Sequence, residues 1–184
     1  IAVRPGEIVG LGGLDGQGQR ELFLALFGVL RGVTGEVALA GRRVEARNPR
    51  HAKGSDLGIA LVPEDRKTDG LMLPMSVNDN LSFAALDRLS RAGVVVTTAE
   101  DQAVADMVRR LSIKVSDVRV PVGTLSGGNQ QKVVIGKWLM NAPRVLLLSD
   151  PTRGIDVGTK QEIYALLREL AAAGVAVMLY STDY

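Results

Sequence analysis

Leu125-Ser126-Gly127-Gly128-Asn129-Gln130-Gln131-Lys132 gathers a serine, two glycines and three side-chain amides into one octet. A helix starting near Ser126 and ending before Pro143 puts a hydroxyl and glycine amides in its first turn. Backbone donors there lack intrahelical acceptors and the helix dipole is positive, so the pattern suits an anion such as a terminal phosphate. An ordinary N-cap accounts for Ser126 alone. It leaves the paired glycines and the polar Asn129-Gln130-Gln131 unexplained, and anion contact is the stronger reading.

Downstream of Pro143, Val145-Leu146-Leu147-Leu148 is a wholly apolar strand, followed by Ser149-Asp150 and Pro151-Thr152-Arg153-Gly154-Ile155-Asp156. A helix over 160–173 and a strand over Val175–Tyr180 come next. Upstream, Glu7–Leu11 leads into glycines, and Leu22, Leu26 and Val29 recur at helical spacing over Glu21–Val29. Glu36–Val44 reads as a hairpin turning at Ala40-Gly41, and Leu57–Val62 as a strand ended by Pro63. Thr97 and Glu100 predict a capping box for a helix reaching about Leu111, with Val104, Met107, Val108 and Leu111 on one face. Continuous apolar strands alternating with helices imply an α/β fold: a mixed, mainly parallel sheet flanked by helices, with a helical insertion over about 72–135. One domain, 1–184, is expected.

Hydrophobic residues make up 46% of the chain and charged residues 23%, close to the average for globular domains. No apolar run approaches the roughly 18 residues that span a bilayer. The chain has no cysteine, which excludes disulfides, thiolate metal sites and a cysteine nucleophile, and its single histidine, His51, cannot build a zinc site alone. A net charge of +2 argues against nucleic acid as a partner. The basic run Arg42, Arg43, Arg47, Arg50 and Lys53 reads as a solvated face. The chain opens at Ile1 without an initiator methionine and stops at Tyr184 straight after a strand-like run, which reads as a piece of a longer polypeptide.

Gly13-Leu14-Asp15-Gly16-Gln17-Gly18-Gln19-Arg20 follows a strand and opens a helix. Gly13, Gly16 and Gly18 fall where a phosphate-cradling loop lets backbone amides approach an anion. In the working motif a lysine at the position of Gln19 reaches the β- and γ-phosphates, and a Ser or Thr at the position of Arg20 ligates magnesium. Neutral Gln19 supplies no point charge, and cationic Arg20 repels Mg²⁺ while remaining able to touch phosphate. Two readings stand at this loop: a weakened nucleotide cradle, or a strand-to-helix turn with no ligand.

With these motifs in sequence order, the chain resembles the ATP-binding cassette (ABC) family, whose signature is Leu-Ser-Gly-Gly followed by a polar residue just ahead of the Walker B strand. The resemblance covers the whole chain: phosphate loop at 13–20, Q-loop near Glu64, signature at 125–132, Walker B strand ending at Asp150, and D-loop Gly154-Ile155-Asp156. It implies a P-loop NTPase-like fold with an α-helical signature subdomain. Pro63-Glu64-Asp65-Arg66-Lys67 with Gly70-Leu71, together with Asn129-Gln130-Gln131-Lys132 and 151–156, looks like the second, C-terminal cassette of fused monosaccharide importers of ribose and galactose type, or of related nucleoside importers.

The resemblance also exposes departures. The magnesium-shell aspartate corresponds to Ser149, the catalytic glutamate to the shorter Asp150, the Q-loop glutamine to Glu64 and the switch histidine to Thr182. The family's adenine-stacking aromatic has no counterpart before Ile8. ATP and Mg²⁺ are therefore expected to bind weakly, or in trans: Ser126, Gly127 and Gly128 would complete the ATP site of a partner cassette in a head-to-tail dimer, normally the N-terminal half of the same polypeptide, and the D-loop Asp156 is a further nucleotide-binding position. Membrane permease subunits, an external solute-binding protein acting indirectly, and the cytoplasmic face of the membrane follow by the same resemblance. A non-catalytic scaffold cassette is the alternative, and the intact signature counts against it.

Overall fold

Local sequence chemistry sets each element. The computed structural model describes residues 1–14 and 16–182. Its elements run β1 (Ile8–Gly10), α1 (Gln19–Leu26), β2 (Val37–Leu39), β3 (Arg42–Val44), α2 (Pro49–Lys53), β4 (Ile59–Val62), a π-helical turn (Arg66–Gly70), α3 (Val77–Ser82), α4 (Leu86–Leu89), β5 (Ser90–Arg91), β6 (Val94–Val95), α5 (Thr97–Arg110), α6 (Gly127–Leu139), β7 (Val145–Ser149), α7 (Val157–Ala172) and β8 (Ala176–Tyr180). They form two compact units.

The first unit comprises Ile1–Leu61, Pro143–Arg153 and Leu167–Tyr184. Its four-stranded sheet has the order β1-β8-β7-β4, with β1 and β7 each parallel to β8. Every residue of β7 and β4 is buried, as a strand covered on both faces requires. Leu146, Leu147 and Leu148 are at most 1% exposed, each contributing about 1.5–3 kcal/mol of burial. Phe23 of α1 packs against Tyr180 with ring centroids 5.8 Å apart. The expected hairpin forms as β2–β3, pairing Val37 with Val44 as a separate two-stranded sheet. Its turn residues Ala40 and Gly41 both have positive φ, 51° and 76°, the two-residue turn that matches strand twist.

The second unit comprises Val62–Ala142 and Gly154–Leu166, and takes in all of 72–135. Here α3, α5 and α6 meet at Gly136, where a β-carbon would lie 2.8 Å from Leu81 and 2.9 Å from Leu111. The face read on α5 is correct: Val104, Met107 and Leu111 are buried and Val108 half-buried. The capping box is not. Val96 is the N-cap, Thr97 is already helical and no side chain caps the end; Glu100 N–H donates to the Val96 carbonyl at 3.0 Å. The small β5–β6 hairpin delivers the chain one residue earlier than the pattern suggests, with Val96 N–H bonded to the Leu89 carbonyl at 2.9 Å. The last helix likewise begins at Val157 rather than 160, because the Asp156 carboxylate caps it through Thr159.

Candidate functional site

In the first unit, the glycine loop turns on left-handed residues: Gly13, Gly16 and Gly18 have φ of 145°, 77° and 99°. Gly18 is the N-cap of α1, so the helix N–H groups open toward the loop. Two glutamines fold back into it. Gln17 Oε1 accepts from Leu14 N–H at 3.1 Å, and Gln19 Nε2 donates to the Leu14 carbonyl at 3.2 Å. A β-carbon on Gly13 would lie 2.4 Å from Gln19 Nε2, so the side chain at the lysine position lies across the loop itself. Asp15 lies outside the described residues.

Gly13, Gly16, Gln19 and Arg20 share one cavity with Ser181 and Thr182. Its volume is about 70 Å³, well under the roughly 300 Å³ at which small-molecule sites begin. Behind it sits Asp150, 1% exposed, with a left-handed backbone at φ 45° that Asp tolerates better than most side chains. Its carboxylate accepts from Ser181 Oγ at 3.1 Å, from Thr182 N–H at 3.4 Å and from Thr182 Oγ1. The structure thus joins two of the positions singled out in the sequence, Asp150 and Thr182. Ser149 is buried at 3% exposure and pairs in register with Tyr180. A serine and an arginine where Mg²⁺ needs a carboxylate and a hydroxyl do not fit the ion. Among the described residues no cluster of three carboxylates or imidazoles could hold a metal.

In the second unit, Ser126 is the N-cap of α6. Its Oγ accepts from Asn129 N–H at 3.5 Å and from Asn129 Nδ2 at 3.0 Å, which leaves the hydroxyl proton to donate outward. The paired glycines have a packing reason that a cap alone did not supply. A β-carbon on Gly127 would lie 2.8 Å from Arg66 Nη2, and one on Gly128 2.5 Å from Thr159 Oγ1. The polar residues that follow are structural too. Asn129 Oδ1 accepts from Lys114 N–H at 2.8 Å, buried Gln130 donates to the Leu125 carbonyl at 3.0 Å, and buried Lys132 pairs with Glu162 at 2.6 Å.

Asp156 is exposed; its carboxylate accepts from Thr159 N–H at 3.0 Å and from Thr159 Oγ1 at 2.8 Å. The Thr159 amide, then its hydroxyl, holds the Asp156 carboxyl below the usual range. Thr159 therefore links Asp156 to Gly128. Half-buried Glu64 precedes the π-helical turn, where Asp65 accepts from Lys67 N–H at 2.7 Å. Four contributors were not anticipated: Thr159, Ser181, Lys137 and the role of Arg66. The spacing Asp156-x-x-Thr159 is a legible helix-start signal; Arg66 stands in the Pro63–Lys67 stretch that carries the resemblance, but nothing local marks its reach to Gly127, and nothing local marks Lys137.

A family model described as ABC transporter matches residues 1–153. The chain is 64% identical over 182 residues to the ribose import ATP-binding protein RbsA 1 of Rhizobium etli, covering 99% of this chain and 36% of that protein. It is 65% identical over 182 residues, with the same coverage of both chains, to the RbsA 1 of Rhizobium johnstonii. The RbsA of Geobacillus kaustophilus is 46% identical over 183 residues, covering 100% of this chain and 37% of the relative. The chain thus spans little more than a third of these relatives. Among solved structures, a dimeric ATP-binding cassette, MJ0796, in a post-hydrolysis state with ADP and phosphate, has the same fold. It superposes with a TM-score of 0.81 at 21% identity, over 100% of this chain and 78% of that one.

Proposed function

This chain belongs to the ATP-binding cassette transporter family, and from that premise we propose that it is the C-terminal cassette of a ribose-type sugar importer's ATPase, working chiefly through its signature motif. The ribose import proteins that share 64% and 65% of its residues support the substrate class. Its own nucleotide site is degenerate: Gln19 lies across the loop, Arg20 and Ser149 stand where Mg²⁺ ligands belong, and Asp150 is engaged with Ser181 and Thr182. ATP in this site binds weakly and turns over slowly if at all.

The single observation that carries the proposal is the exposed Ser126 at the start of α6. Ser126 Oγ is oriented by Asn129 with its proton still available, beside first-turn amides that have no intrahelical acceptor. Such a cluster donates to the γ-phosphate of ATP held by a partner cassette, normally the N-terminal half of the same polypeptide, in a head-to-tail dimer. When bound, that ATP and its Mg²⁺ supply the phosphoryl chemistry; Ser126, Gly127 and Gly128 contribute hydrogen bonds and the positive end of a helix, with Asp156 nearby in the same unit. ATP-driven closure is passed to the permease at the cytoplasmic face of the membrane, through the Glu64 segment, and the permease receives solute from an external binding protein. Ser126→Ala in the assembled transporter should lower ATP turnover about tenfold or more, the usual cost of removing an oriented phosphate donor. Unchanged ATPase activity would exclude this role.

A further inference from the structure

The π-helical turn Arg66–Gly70 is fastened at both ends. At its start, Arg66 Nη2 donates to the Gly154 carbonyl at 3.3 Å. The same nitrogen fills the space that a β-carbon on Gly127 would need, 2.8 Å away. At its end, buried Lys137 of α6 donates to the Gly70 carbonyl, and Gly70 sits so close to Val134 that a β-carbon would approach within 3.1 Å. Between the ends, Asp65 accepts from Lys67 N–H at 2.7 Å and from Thr68 N–H at 3.3 Å, fixing the entry to the turn. Glu64 immediately precedes this braced segment.

A short turn with few hydrogen bonds of its own is ordinarily soft, and π-helical geometry is uncommon outside functional positions. Here it is held against one helix at two points ten residues apart, Gly127 and Lys137, roughly 15 Å along the axis. The guanidinium is a planar fork, able to serve two neighbours at once where an ammonium serves as a point. From the segment that follows Glu64 it reaches both the first signature glycine and the D-loop backbone.

We infer that Arg66 is a positioning residue that locks the signature start at Gly127 and the D-loop at Gly154 to the segment behind Glu64, so that all three move as one body. Its guanidinium holds the Gly154 carbonyl while packing beneath Gly127, and it thereby sets where Ser126 and Asp156 stand relative to each other. The inference rests on the trans role proposed for the signature.

The test is Arg66→Ala and Arg66→Lys beside Ser126→Ala in the full reconstituted transporter, measuring kcat and KM for ATP and the thermal midpoint of each assembly. Arg66→Ala should lower kcat about tenfold or more, the scale of a misplaced catalytic constellation, with KM changed less than about twofold and the midpoint preserved. Arg66→Lys keeps one donor to the Gly154 carbonyl and should recover part of the rate. Wild-type kcat in Arg66→Ala alongside an impaired Ser126→Ala overturns the positioning role and leaves the signature's role standing. A kcat loss accompanied by a lowered midpoint that Arg66→Lys does not improve assigns Arg66 to folding only and also overturns it. Normal kcat in both alanine variants removes the signature's role and this inference together.

Discussion

The carboxylate of Asp150 accepts hydrogen bonds from Ser181 and Thr182 in a place almost closed to water. Asp150→Ala removes the acceptor of half-buried Ser181 and exposed Thr182, whose hydroxyls can turn to water, and should cost about 0.5–1.5 kcal/mol for each hydrogen bond lost, measured by urea unfolding of this chain. Lys137 offers a second residue-scale test. Burial pushes its ammonium down to about 8, against an ordinary value of 10.5. Between those values the unfolded chain holds a proton on Lys137 that the folded chain has lost, so this group's unfavourable contribution is full below pH 8 and is relieved as pH rises toward 10.5. The stability of the wild type relative to Lys137→Met should therefore increase over that window, as read by denaturation series at several pH values. A flat difference would mean that the ammonium is not desolvated. Both effects come from burial: Asp150 was legible as a position at the end of a strand but its enclosure was not, and Lys137 was one lysine among many, because no local pattern says which side chains the fold encloses.

At the scale of elements, the signature helix shows what the sequence does and does not carry. Its start at Ser126, the apolar run of β7 and the alternation of strands and helices were legible because period and capping are local properties. The two residues that enforce Gly127 and Gly128 were not, since Arg66 and Thr159 lie far away in the chain. Gly128→Ala tests that packing. Alanine gains about 1 kcal/mol of helix propensity over glycine, but its β-carbon meets branched Thr159 at 2.5 Å, and such overpacking costs about 1–3 kcal/mol. A net loss in melting temperature is expected, reduced when Thr159→Ala is added. Short elements went unread for a different reason. Helices α2 and α3 carry clear start signals, Asn48 accepting from His51 N–H at 2.8 Å and Ser76 from Asp79 N–H at 3.0 Å, yet each lacks the length to show a periodic face. The Thr97 and Glu100 pattern failed the other way, matching a capping box in spacing while the β5–β6 hairpin fixed the true start at Val96.

Across the whole chain, five of the departures that the resemblance marks, Gln19, Arg20, Ser149, Asp150 and Thr182, belong to the first unit, whereas Glu64 belongs to the second together with Ser126, Gly127, Gly128 and Asp156. Calorimetry on this chain with Mg-ATP should accordingly give no micromolar binding and no steady turnover. Gln19→Lys combined with Arg20→Thr should restore measurable affinity, since the lysine would replace a side chain that now lies across its own loop. No helix among the described residues is long and apolar enough to cross a membrane. The Ala40-Gly41 turn makes a further kind of measurement available. It is exposed, tight and left-handed at both residues, and the chain carries no thiol of its own. A cysteine at Ala40 keeps a β-carbon where one already stands, giving a maleimide dye or nitroxide a single attachment point. Because the probe rides on a hydrogen-bonded hairpin, its rotational correlation time should follow the tumbling of the folded body and lengthen when that body joins a larger assembly.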